Sequence, residues 1–142
     1  MEEILNGITK RLSDLFPAMN FYTERIEQGF TEPAFFVLQI GSSQQRGINR
    51  RYIRSAMFDI HFYPDRDSTE LKRECERVRD QLYENMEYIK WDGTTYRGTG
   101  MRAEIIDDVL HFFMTFEVHM MRPKVAGPTM QLLKQEEYVR ND

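Results

Sequence analysis

The chain is poor in the features that announce chemistry. It has one cysteine, Cys75, in 142 residues, which excludes an internal disulfide and a paired CxxC metal site. It has no HExxH helix and no GxSxG elbow, and the glycines of "RGTG" at 97–100 lack the trailing Lys-Ser/Thr of a phosphate loop. No apolar run approaches the roughly 20 residues that span a bilayer. The opening "MEEILNGITKRL" lacks the basic start and unbroken apolar core of a signal peptide. These absences predict a soluble protein with no membrane partner, made and kept in the cytoplasm or released by lysis. Net positive charge is also missing: the formal charge is −4, which argues against bulk attraction to nucleic acid or acidic lipid. Lysine is scarce, with arginine supplying 14 of the 19 basic residues. Arg, Tyr, Phe and Met are enriched at protein–protein contacts and Lys is depleted there, so this bias, with 13% aromatics and nine methionines, suits an interface as well as an aromatic core.

What is present suffices for one folded domain. Hydrophobic residues make up 41% and charged residues 30%, a composition that supports a core without staples. Ile4, Leu5, Ile8, Leu12 and Leu15 fall on one helical stripe that Pro17 ends. Gly7 costs that helix roughly 1 kcal/mol against alanine, so packing must hold it. "NFYTERIEQGF" predicts a short strand and a turn at Gln28-Gly29. "PAFFVLQIGS" is apolar almost throughout residues 34–40, which predicts a strand covered on both faces; two helices can cover one face, and a neighbouring subunit is a candidate for the other. "SSQQRGINRR" reads as a polar loop. In "RYIRSAMFDIHFY", Tyr52, Ala56, Phe58, Ile60 and Phe62 share one face, with Ser55, Asp59 and His61 on the other. Asp67 and Glu70 have capping-box spacing. Leu71, Cys75, Val78, Leu82 and Met86 form the seam of a second helix, so Cys75 is a buried structural thiol. Asp92-Gly93 and Asp107-Asp108 predict turns, and Gly98 and Gly100 a bulge. "VLHFFMTFEVHMM" alternates, with Leu110, Phe112, Met114, Phe116, Val118 and Met120 on one face and His111, Thr115, Glu117 and His119 on the other. The order helix, three strands, helix, three strands predicts an α+β two-layer sandwich: a mostly antiparallel sheet of five to six strands with two main helices on one face. The link through the second helix is long enough to join two parallel strands.

Two groups of residues invite a function. Asp59 and His61, joined by His111, Glu117 and His119 if the two long strands pair, contain metal-ligating types, but the spacing is equally that of a polar sheet face. On sequence alone no catalytic residue, metal ligand or cofactor is assigned, although a small metalloenzyme using Asp59, His61, His111 and His119 is one reading. Arg46, Arg50, Arg51 and Arg54 concentrate positive charge in an acidic chain. They suit phosphates or the carboxylates of a partner, and the alternative is a solvated hairpin tip.

"EQGFTEPAFFV", "NRRYIRSAMFDIHFYP", "YRGTGMRAEIIDDVLHFFMTFEV" and the opening helix resemble the tail terminator family of phages and prophages of Gram-positive bacteria. The resemblance covers residues 1–122 as one domain and leaves 123–142 as a C-terminal tail or arm. It implies a non-catalytic virion protein, assembled in the host cytoplasm. Such a protein forms a hexameric ring on the head-proximal end of the tail tube, stops tube polymerisation and makes the head-joining surface, in a phage or a headless tail-like bacteriocin. The implied partners are further copies of the chain, the tail tube protein, the sheath protein in contractile tails, the head–tail connector, and DNA passing through the lumen. The arginine loop would then line the lumen or bind a neighbour. Phe35, Phe36, Val37 and Leu38 would form an interface strand, and Glu70, Glu74 and Asp80 an acidic counter-surface. The competing reading is a small oligomeric binding module that takes nucleic acid or an acidic partner through the same arginines.

Overall fold

The computed structural model describes residues 2–23 and 30–124; the expected turn at Gln28-Gly29 and the expected arm from residue 125 onward lie outside them. The chain runs α1 (Glu2–Leu15), β1 (Asn20–Tyr22), β2 (Ala34–Arg46), β3 (Arg51–Tyr63), α2 (Leu71–Asn85), β4 (Tyr88–Trp91), β5 (Thr94–Ile106) and β6 (Val109–Met121). This is the element order that the periodicities predict. The strands form one six-stranded sheet in the order β1-β2-β3-β6-β5-β4, antiparallel throughout except for β1 beside β2. The parallel pair is therefore not made through α2, which instead carries the chain to the far edge at β4. Tight turns explain this: Asp92, Gly93, Asp107 and Asp108 have φ of 52°, 80°, 52° and 60°, the left-handed pairs that close two-residue hairpins. They fold β4, β5 and β6 back on one another, so that the long β6 returns to the centre beside β3.

Both helices press on one sheet face. Ile4, Ile8 and Leu12 of α1 and Cys75, Val78 and Leu82 of α2 share a core with Phe35, Val37, Phe58, Ile60, Phe62, Leu110, Phe112, Met114 and Phe116. Gly7 lets α1 approach β4: a Cβ there would lie 3.1 Å from Ile89 Cδ1 and 3.4 Å from the Lys90 carbonyl oxygen. The capping box does not form. The Asp67 N–H donates to the Asp65 carboxylate at 3.0 Å and the Glu70 N–H to Ser68 Oγ at 3.1 Å. These turns absorb the polar segment, and α2 starts only at Leu71, with no side-chain cap from Glu70.

The polar run after residue 41 is strand, not loop. β2 continues to Arg46, paired in register with β3 as far as Tyr52, and only residues 47–50 turn, closed by the Gly47 N–H donating to the Arg51 carbonyl at 2.9 Å. Alternation is a burial signal, and here neither face is covered, so the strand carries none. β6 accompanies β3 to the end, with Met121 opposite Arg51. β5 leaves β6 beyond the Gly98–Phe116 pair, close to the expected bulge, where the register shifts between Thr99 and Arg102 and Gly100 has φ 62°. Residues 42–46, 51–55 and 117–121 thus make a three-stranded arm.

Candidate functional site

The arm gathers the four arginines singled out in the sequence. Arg46 ends β2, Arg50 lies in the turn, and Arg51 and Arg54 belong to β3. Arg50 Nη1 donates to the Arg122 carbonyl at 3.2 Å, and the Arg122 N–H returns a bond to the Arg50 carbonyl at 2.8 Å. This adds a fifth arginine that the sequence reading missed; the β3–β6 register, invisible in the sequence, was the needed signal. Arg54 donates from Nε and Nη2 to Gln44 Oε1 at 2.9 and 2.7 Å. The guanidinium carbons of Arg122 and Arg54 lie 4.9 and 5.7 Å from the Tyr52 ring centroid, so one aromatic ring orders two cations. Residues 42–56 and 116–122 contain one acidic residue, Glu117. Ile48 stands at the tip, 77% exposed, beside a shallow concavity of about 390 Å³ that Tyr52, Ile53, His119 and Met121 also line.

The expected interface strand is distributed over two environments. Phe35 and Val37 lie in the core. Phe36 is buried on the opposite face, with ring centroids 5.0 Å from Tyr22, 4.9 Å from Phe30 and 5.4 Å from Tyr63. The second cover over Phe36 therefore comes from the chain itself. Leu38, opposite Asp59 in the ladder, is half-buried. The expected acidic counter-surface is interleaved with arginine: Glu70 pairs with Arg73 at 2.9 Å, Glu74 with Arg77 at 3.9 Å and Asp80 with Arg79 at 3.0 Å. Such exposed pairs contribute about 0–1 kcal/mol each and are readily exchanged for others.

On the sheet face without helices, Asp59 and His61 meet His111. His61 and His111 are direct cross-strand partners, with ring centroids 4.3 Å apart. Asp59 Oδ2 lies 2.7 Å from His61 Nε2 and 3.6 Å from His111 Nδ1. Asp59 is only 7% exposed, and its Oδ1 is buried without a hydrogen-bond partner. Glu117 and His119 do not join this group. They face Ser55 and Ile53 out on the arm, and His119 is eight residues from His111, about 27 Å along the strand. Cys75 is fully buried, and its Sγ donates to the Asp108 carbonyl at 3.4 Å. Burial, then the charges of Asp108 and Glu74, push the thiol up to about 11, so it is protonated and inert at neutral pH.

A compact α+β body, one sheet face without helices and a projecting basic arm have the build of an assembly component. The chain matches the phage tail terminator protein family over residues 3–128. It belongs to that family, and so among the structural proteins of the phage tail. One solved chain is 15% identical, with 88% of this chain and 97% of that chain covered at a TM-score of 0.37, too slight a likeness to carry weight. Comparison with curated proteins gives no match. No helix among the described residues is long and apolar enough to cross a membrane.

Proposed function

We propose that the protein caps the head-proximal end of the tail tube as a hexameric ring, stops tube polymerisation and offers the surface that joins the head connector. The observation that carries this reading beyond family membership is the arm, a cluster of arginines held clear of the core in an otherwise acidic chain. A closed ring uses heterologous contacts, one patch of a copy meeting a different patch on the next. In such a ring the arm would meet a neighbour, and arginine forks suit carboxylates. Glu70, just before α2, and Glu74 and Asp80 on it are the proposed counter-surface, exchanging pairs within this segment for pairs between copies. Leu38 and the 45%-exposed Met57 are the proposed apolar contacts of the open face, against a neighbour or the tube. In a contractile tail the outer rim would also meet the sheath. The test is to add the protein to polymerising tube protein and measure tube length by electron microscopy. Shorter tubes with extra density at one end are expected; an unchanged length distribution at saturating protein rejects the reading.

The same arm supports a second reading, a small oligomeric module that binds nucleic acid or an acidic partner. Its signature is DNA affinity that falls steeply with salt, in a species that leaves tube length unchanged.

A further inference from the structure

We propose that Asp59, His61 and His111 form a binding site for a divalent transition metal of the zinc class on the open face of the sheet. β3 supplies two ligands and β6 the third. The backbone fixes the set: Asp59 and His61 are two apart on one strand and so share a face, and His111 is the ladder partner of His61. One ligand atom from each residue lies within 4.8 Å of the other two. Around a tetrahedral ion with bonds of about 2.0–2.1 Å, donor atoms sit about 3.3 Å apart. The 2.7 Å edge between Asp59 and His61 must open slightly and the 3.6 Å edge to His111 close slightly, both within reach of small imidazole rotations.

The electrostatics point the same way. A buried carboxylate needs compensation. Here two imidazoles crowd one oxygen, Oδ2, while Oδ1 has no partner. As hydrogen bonding this is incomplete; as coordination, one cation held by three donors neutralises the carboxylate and uses both rings. Glu104, across from His111 on β5, does not fill that role, because its carboxylate is held by Arg102 at 2.6 Å. The Arg102 guanidinium lies 4.1 Å from the Phe113 ring centroid. Two imidazoles and one carboxylate select zinc, cobalt or nickel over magnesium or calcium. Three protein ligands leave a fourth position for water on the solvent side. The ion would link the two central strands where no helix supports them. The site stands apart from the ring reading and does not depend on it.

The test uses the full-length, tag-free protein, stripped with chelator and titrated with Co²⁺ and Zn²⁺. Saturable binding of one ion per chain in the micromolar range or tighter is expected, with the visible absorption of tetrahedral cobalt and a higher melting temperature in zinc. His61→Gln and His111→Gln should each weaken binding by at least about a hundredfold, since loss of an outer-shell partner alone costs 10–100-fold. His119→Gln should leave it unchanged. Absence of saturable binding overturns the proposal, and so does binding that survives in the double variant His61→Gln/His111→Gln. Circular dichroism of the stripped variants separates loss of ligand from loss of fold.

Discussion

Cys75 and Asp108 tie α2 to the β5–β6 turn: the buried thiol donates to the Asp108 carbonyl at 3.4 Å. Its pKa is raised from 9.0 to about 11, chiefly by burial. A raised folded-state value means that the unfolded chain loses this proton first. The associated stability is fully present below pH 9 and is lost as the pH climbs towards 11. Wild-type stability should therefore fall more steeply over that window than that of Cys75→Ala, which itself should cost about 1–2 kcal/mol at neutral pH. Urea titrations at a series of pH values measure both. In native protein a thiol reagent should react only as fast as the core opens.

The two glycines of β5 should fail for different reasons. Gly100 has φ 62° and open space where a Cβ would go, so Gly100→Ala should cost about 1–2 kcal/mol from the backbone alone. At Gly98 a Cβ would collide with Met114 Cε and lie 3.2 Å from the Phe116 ring. Gly98→Ala should cost about 1–3 kcal/mol through repacking. Trimming the neighbour with Met114→Leu should recover part of the second loss and none of the first, as read from denaturation midpoints.

Reversing Arg50 and Arg51 to glutamate should cost the monomer no more than about 1–1.5 kcal/mol, because both side chains are exposed and only the Arg50 bond to the Arg122 carbonyl is lost. Assembly should weaken, and light scattering should show smaller species. An unchanged oligomer size would remove the arm from the contact. Adding Glu74→Lys should restore part of the assembly if α2 is the counter-surface; lack of rescue would remove α2 as the partner of the arm.

Phe36 is buried by aromatic rings of its own chain on the face that no helix covers. Phe36→Ala should cost about 3–5 kcal/mol in the isolated chain, as much as a core position such as Phe112. A loss below about 1 kcal/mol, measured by thermal or urea unfolding, would mean that this face becomes ordered only in an assembly.

Much of the body was legible because burial writes periodicity into sequence. Phe58, Ile60 and Phe62, and Phe112, Met114 and Phe116, alternate because one face meets the helices. Asp92-Gly93 and Asp107-Asp108 turn where left-handed residues are tolerated. The outer half of β2 was not legible, since Ser42, Ser43, Gln44 and Gln45 are wet on both sides and no pattern distinguishes such a strand from a loop. Strand order escaped as well, because β3 and β6 are far apart in the chain and their register follows from turns between other strands. That register sets His111 against His61 and brings Arg122 to Arg50. The pairing of Glu70 with Arg73 and of Glu74 with Arg77 follows i,i+3 spacing and is legible in the sequence; that of Asp80 with its neighbour Arg79 is not.

Side chains on a pleated strand repeat every two residues. Matched pairs could thus be inserted into or removed from the outer ends of β2, β3 and β6 without turning any residue of the hydrophobic interior outward. Each step would change the reach of the molecule by about 7 Å. The body would keep its identity while the arm alone is lengthened or shortened, much as a calliper is opened without remaking its hinge.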